Sequence, residues 1–89
     1  MYAAKVIGHI VATKKDQRLV GWKLLIVSPL SLDGAVSGRM DVAVDIVGSG
    51  IGEIVLVVEG SSARLAINDT NSPVNAAIVG IVDSWEVGT

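Results

Sequence analysis

Five short runs rich in valine, isoleucine, leucine and alanine follow one another along this chain, and turn-forming or charged residues separate them. β-Branched residues favour strands, whereas glycine, serine, aspartate and asparagine favour turns. The runs are residues 2–13, 21–30, 39–47, 53–60 and 76–87. Five strands in so short a chain predict a mainly β fold, a small closed or nearly closed barrel, because closure removes exposed strand edges.

The segments between and within the runs add detail. The charged cluster "KKDQR", residues 14–18, predicts a turn, so the first two strands are expected to form an antiparallel hairpin. "SSARLAI", residues 61–67, predicts a short helix after the fourth strand, with Ser61 or Ser62 as its N-cap. Gly80, inside the last run, predicts a β-bulge or a close approach of two backbones.

The third and fourth runs differ in pattern. After a predicted surface loop at residues 31–38, the third run alternates with the period of a half-buried strand. One face of that strand carries its large apolar residues: Met40, Val42, Val44 and Ile46. The fourth run is apolar almost throughout, which predicts a strand that is covered on both faces.

The length of the chain limits how much apolar surface it can hide. Its 89 residues indicate a single domain, 1–89, and 51% of them are hydrophobic. A domain of this size buries only about 60–65% of its unfolded surface. Part of the apolar surface is therefore expected to contact other subunits.

Composition excludes several classes of function. The chain has no cysteine and a single histidine, His9, so the usual metal sites and disulfides are not expected. A net charge of −2 argues against a basic surface for nucleic acid. The sequence offers no nucleophile paired with a base, no cofactor motif and no apolar run of the ~20 residues that a membrane span needs. We expect a cytoplasmic protein that is not an enzyme and needs no cofactor.

A glycine cluster, "VGSGIGE" at residues 47–53, follows the third run and at first suggests a dinucleotide-binding loop. That motif requires a third glycine where this chain has Glu53, and a helix where this chain has the strand "IVLVV". The cluster therefore predicts either an ordinary tight turn or a stretch of bare backbone that another chain can approach closely.

Three blocks, "ATKKDQRLVGWKLLIV", "VAVDIVGSGIGEIVLVVEGSSAR" and "PVNAAIVGIVDSW", resemble the signature blocks of the bacterial microcompartment vertex proteins, the EutN/CcmL family, in order and spacing from end to end. Ser49 stands where many members have alanine, and Asn75 where aspartate is common. The resemblance implies a five-stranded barrel related to the OB fold that assembles as a homopentamer. It also implies a structural role at the fivefold vertices of a protein shell, either a carboxysome or a catabolic metabolosome, whose facets are tiled by hexameric shell proteins.

The resemblance directs attention to the glycine cluster as a candidate pentamer-axis loop. Its residues Gly48, Ser49, Gly50, Ile51 and Gly52 are expected near the fivefold axis, where Ser49 hydroxyls and backbone amides would line an opening. The alternative is a turn with no axial role.

Charged and polar residues in the same blocks are candidates for intersubunit contacts or for capping the loop: Glu53, Ser61, Ser62 and Arg64. The alternatives are a solvated charge, worth well under ~1 kcal/mol, and purely local capping of the helix. The charged turn at 14–18 is expected to be solvated, with contact to a hexamer as the alternative.

The competing function is an OB-type module that binds single-stranded nucleic acid or a small ligand. Such a module needs aromatic stacking platforms and a basic groove, whereas this chain has two tryptophans, one tyrosine and a negative net charge.

Overall fold

A computed structural model describes residues 1–31 and 33–88. These residues form five strands, one α-helix and one 3-10 turn; Leu32, inside the predicted loop at 31–38, lies outside the described residues. The elements in chain order are β1 (Tyr2–Ile10), the 3-10 turn (Gln17–Leu19), β2 (Lys23–Pro29), β3 (Asp41–Asp45), β4 (Ile54–Glu59), α1 (Ser61–Ala66) and β5 (Ala76–Ile81).

The five strands close into a barrel in the order β1-β2-β3-β5-β4, which confirms the predicted fold class and the β1–β2 hairpin. Neighbouring strands are antiparallel except β3 and β5, which pair in parallel through Val44 with Ala77 and Asp45 with Ile78. Parallel neighbours need a crossover connection. After β4, the segment that contains α1 carries the chain to the start of β5.

Small and β-branched side chains fill the barrel interior, as expected for a narrow barrel. The buried residues of this interior core are Ala4, Val6, Leu25, Val27, Ala43, Val55, Val57, Ala76 and Ile78. The ring of Tyr2 packs against them.

A second apolar cluster lies outside the barrel and beneath α1. Its buried members are Val44, Val58, Ala63, Ile67, Val74 and Ala77. Val57 faces the interior whereas its neighbour Val58 faces this outer cluster, and Ile54 and Leu56 are partly buried. The prediction that β4 is covered on both faces agrees with this arrangement.

Two β-bulges shift the register between neighbouring strands in the described part of the barrel. The register of β1 with β2 shifts between Val6 and Gly8, and that of β4 with β5 shifts next to Gly80. A Cβ at Gly8 would lie 3.3 Å from Ile26 Cδ1, and one at Gly80 would lie 3.5 Å from Leu56 Cδ1. The predicted irregularity at Gly80 is therefore confirmed, and Gly8 marks a comparable one.

Two predictions about strand extent need correction. β1 ends at Ile10 rather than at residue 13, and β5 ends at Ile81 rather than at 87. The large apolar residues of the third run do not point into the barrel: Val44 is buried in the outer cluster, and Met40, Val42 and Ile46 are exposed. The interior takes Ala43 instead, where space is narrow.

Candidate subunit surface and glycine loop

The glycine loop, residues 46–53, connects β3 to β4 and lies against β1. The amide of Gly52 donates to the carbonyl of Val6 at 2.8 Å, and the amide of Val6 donates to the carbonyl of Glu53 at 2.9 Å. Gly48 and Gly52 have φ angles of +78° and +94°, a region that side chains with a Cβ rarely adopt. The loop is thus a sharply folded segment tied to the neighbouring strand.

Side chains also hold the loop from within. Ser49 is 1% exposed, and its hydroxyl donates to Asp45 Oδ1 at 2.9 Å. Asp45, itself 8% exposed, accepts the amide of Val47 on the same oxygen at 3.3 Å. Lys23 Nζ donates to the carbonyl oxygen of Ser49 at 3.1 Å, and Glu53 Oε1 accepts the amide of Gly50 at 2.8 Å.

The five candidate axis residues therefore differ in how far they are exposed to solvent. Ile51 is 64% exposed at the tip, Gly48 and Gly52 are exposed, and Gly50 is partly buried. The expectation that the Ser49 hydroxyl faces an opening is corrected, because in the subunit that hydroxyl is buried against Asp45.

Sequence reasoning did not single out Asp45 and Lys23. The available signal was the alternation of β3, which puts Asp45 on the same face as Ala43; the antiparallel pairing of β2 with β3, which brings Lys23 opposite Asp45, is visible only in the structure.

The segment "GSSAR" forms the start of α1, but its serines do not cap the helix. Gly60 is the N-cap residue, with φ +62° and ψ −135°, and no side chain among the described residues provides a capping hydrogen bond. Ser61 and Ser62 are both exposed within the first turn. The prediction of a serine N-cap is wrong because the chain reverses sharply at this point into a conformation that only glycine adopts readily.

Arg64 is partly buried, and its Nη1 donates to the carbonyl of Val74 at 3.2 Å. The guanidinium therefore ties α1 to the segment that leads into β5.

The outer surface of the barrel carries a large amount of exposed apolar area. On β3 and directly before and after it, Met40, Val42, Ile46 and Val47 are exposed. Next to them lies an open groove of about 240 Å³ lined by Leu19, Leu24, Val42, Val44, Pro73, Val74, Asn75 and Ala76. A second exposed set lies on β1, the glycine loop and β5, and comprises Ile7, Ile10, Ile51 and Ile81.

The charged turn is solvated and is organised by its own charges. Asp16 caps the 3-10 turn by accepting the amide of Arg18, and the two side chains form an ion pair at 2.8 Å. The hydrogen bonds from the Arg18 guanidinium lower the pKa of Asp16 to about 2.

Within residues 1–31 and 33–88, no three histidine, cysteine, aspartate or glutamate side chains come close enough together to hold a metal ion. His9 is exposed beside Trp22 and Lys15 in a shallow groove on the hairpin. No helix in the described part of the chain is long and apolar enough to cross a membrane.

Comparison with known proteins identifies the family. Residues 1–83 match the model of the family described as "Ethanolamine utilisation protein EutN/carboxysome". The chain is 49% identical over 86 residues to the bacterial microcompartment shell vertex protein GrpN of Rhodospirillum rubrum, covering 97% of each chain. It is 43% identical over 89 residues to the carboxysome shell vertex protein CcmL of Synechocystis, covering 100% of this chain and 89% of the relative.

The fold agrees with these relatives. The solved structure of the GrpN pentameric microcompartment shell protein from Rhodospirillum rubrum superposes with a TM-score of 0.91 at 48% identity, covering 99% of this chain and 100% of that one. The resemblance found in the sequence blocks is thereby confirmed, and the chain belongs to the EutN/CcmL family.

Proposed function

We propose that this chain is a structural shell protein that assembles as a homopentamer and closes the fivefold vertices of a bacterial microcompartment in the cytoplasm. The observation that carries the proposal is the end-to-end match to relatives named shell vertex proteins, one of them solved as a pentameric shell protein. The role is mechanical rather than catalytic, in keeping with a family of shell proteins.

The distribution of apolar surface supports assembly into a ring. A ring of identical subunits needs two different, mutually complementary surfaces on each subunit, because the contact is head to tail. One such surface is the exposed side of β3 with its adjoining groove, and the other is the set of isoleucines on β1, the glycine loop and β5. Burying a half-exposed valine or isoleucine contributes on the order of 1 kcal/mol, so several together stabilise a lasting contact.

The tip of the glycine loop is proposed to lie nearest the fivefold axis. Gly48 and Gly52 offer bare backbone at the surface, and Ile51 projects between them. Five copies of such a tip would form a narrow collar of backbone and isoleucine, with the Ser49 side chains held back in each barrel.

The proposal also includes contacts between the pentamer and its neighbours in the shell. In a closed shell the pentamer must meet the hexameric shell proteins of the facets. The solvated turn at 14–18, on the outer end of the β1–β2 hairpin, is a candidate for that contact. Arg64 is proposed to stabilise the ring contact, either directly or through the segment that it holds in place.

The solution mass of the purified protein tests the proposal. Analytical ultracentrifugation and native mass spectrometry at micromolar concentration should give a particle of five times the chain mass. A monomer or dimer at that concentration would contradict the ring, and a stable hexamer would contradict the vertex role. Disappearance of closed shells when the gene is deleted, with elongated or open shells in their place, would support the role in the cell.

A further inference from the structure

We propose that Asp45, Lys23 and Glu53 fasten the glycine loop in one conformation within each subunit, so that the loop is already formed before subunits meet. The inference deepens the proposed function, since it takes the loop to face neighbouring copies. It assigns positioning roles to Asp45 and Lys23, two residues to which the sequence pattern alone gave no role.

The need for such fastening follows from the composition of the loop. Gly48, Gly50 and Gly52 occur within five residues, and glycine loses more conformational freedom on ordering than any other residue. Ordering each backbone unit costs conformational entropy. A loop that became ordered only on assembly would impose that cost on every subunit of the ring.

Asp45 supplies the buried fastening point. It lies at the end of β3, is 8% exposed, and accepts both the Ser49 hydroxyl and the Val47 amide. Hydrogen bonds to a charged carboxylate are stronger than those to a neutral acceptor. A buried carboxylate without hydrogen-bond partners destabilises the folded state. The loop conformation that brings Ser49 to Asp45 is therefore favoured over conformations that leave the carboxylate unsatisfied.

Glu53 and Lys23 hold the other side of the same turn. The Glu53 side chain accepts the Gly50 amide at 2.8 Å, while its own amide donates to the Gly50 carbonyl at 3.1 Å. Lys23 Nζ reaches across from β2 to the carbonyl of Ser49 at 3.1 Å. Lys23 at the start of β2, Asp45 at the end of β3 and Glu53 at the end of the loop thus converge on residues 49 and 50.

The consequence is a surface of fixed shape at the loop tip. Preorganised surfaces bind more tightly because less freedom is lost on association. The exposed Ile51 is then presented in the same position by every copy, and any opening that the five tips surround has a constant width.

Residue-resolved hydrogen exchange measured by NMR tests the fastening directly. In the wild-type protein the Gly50 and Val47 amides should be protected. Glu53→Ala should speed exchange of the Gly50 amide about tenfold, the change expected for loss of one hydrogen bond to a charged group. Glu53→Gln, which keeps an acceptor oxygen, should speed it much less. Glu59→Ala, which removes an exposed carboxylate at the end of β4, is the matched control and should leave the loop unchanged.

The Asp45 variants add an assembly readout. Asp45→Ala should speed exchange of the Val47 amide, and its pentamer should dissociate at a roughly tenfold higher concentration on dilution, as judged by native mass spectrometry. Asp45→Asn, which can still accept from Ser49, should lie close to the wild type. The amide of Val57 in the barrel interior reports general unfolding.

The outcomes separate this inference from the proposed function. Loop amides that exchange at unprotected rates in the wild type would overturn the fastening, and so would variants that speed Val57 as much as the loop. If the loop amides respond as expected but the wild-type protein is a monomer, the proposed role of these side chains in holding the loop is supported and the proposed pentamer is contradicted.

Discussion

Tyr2 offers a direct test of the structure at one mouth of the barrel, because it is the only tyrosine in the chain. Partial burial, the hydrogen bond from its hydroxyl to Asp41 Oδ2 at 2.9 Å, and the negative charges of Asp41 and Glu59 raise the pKa of Tyr2 to about 12. The Arg39 guanidinium, 5.8 Å from the ring centre, acts in the opposite direction. The negative environment and the burial outweigh it.

The direction of the pH effect follows from that shift. The phenol is protonated in the hydrogen-bonded state, so the folded pKa lies above the unfolded value of about 10. The stabilisation that Tyr2 provides is therefore complete below about pH 10 and is lost as the pH rises through about 12. At a given pH between these values, the ratio of phenol to phenolate should be about a hundredfold higher in the folded chain than in the unfolded one.

Ultraviolet absorbance of the tyrosinate, followed during an alkaline titration, measures this pKa for Tyr2 alone. The wild-type midpoint should fall at about 12 and that of the urea-unfolded chain at about 10. Asp41→Asn removes the charge and keeps an acceptor, so its midpoint should lie between the two. Asp69→Asn removes a carboxylate that does not act on Tyr2 and is the control.

Circular dichroism at each pH decides whether the titration reports the folded state. A midpoint near 10 in protein that is still folded would refute the reasoning, as would an Asp41→Asn variant that titrates like the wild type. Either result would mean that the contact between Tyr2 and Asp41 does not exist in solution.

Two further predictions concern the start of α1 and the ring. Gly60→Ala should lower the free energy of unfolding in urea by about 1–3 kcal/mol, because φ is +62° there. A Cβ at this position would meet no atom of the described residues within 4 Å, so backbone strain is the cause. Gly88→Ala, at an open position without a positive φ, is the control, and equal unfolding midpoints for the two variants would contradict the argument. Arg64→Ala should weaken the pentamer in native mass spectrometry, whereas Arg18→Ala, on the exposed turn, should not; an undiminished pentamer signal from Arg64→Ala would remove its role in the ring.

The sequence was most informative where structure depends on local pattern. The strand runs, the hairpin across residues 14–18 and the short helix after β4 follow from side-chain periodicity and turn chemistry, which act between near neighbours. The irregularity at Gly80 was predictable for the same reason, since a glycine inside a strand often marks a bulge or a close approach of two backbones.

Features that depend on distant parts of the chain were not predictable in this way. The alternation in β3 separates two faces but does not say which one is inside, and the answer depends on the narrow interior that admits Ala43. Asp41 and Asp45 lie on the same face of β3 as Ala43, at the two ends of the strand. Their carboxylates accept hydrogen bonds from the hydroxyls of Tyr2 and Ser49, respectively. At Gly60 the sharp reversal of the chain outweighs the ordinary preference for a serine cap.

The parallel contact between β3 and β5 bears on the order in which the subunit folds. In the described part of the chain it consists of two residue pairs, Val44 with Ala77 and Asp45 with Ile78, whereas the β1–β2 hairpin joins residues that are close in sequence. Loop closure over a long segment slows the formation of such contacts, so we expect the hairpin to form early and this seam to close late. Until β3 and β5 pair, the side chains of Val44 and Ala77 are not yet buried in the outer cluster. During that interval a newly made subunit can form incorrect strand pairs.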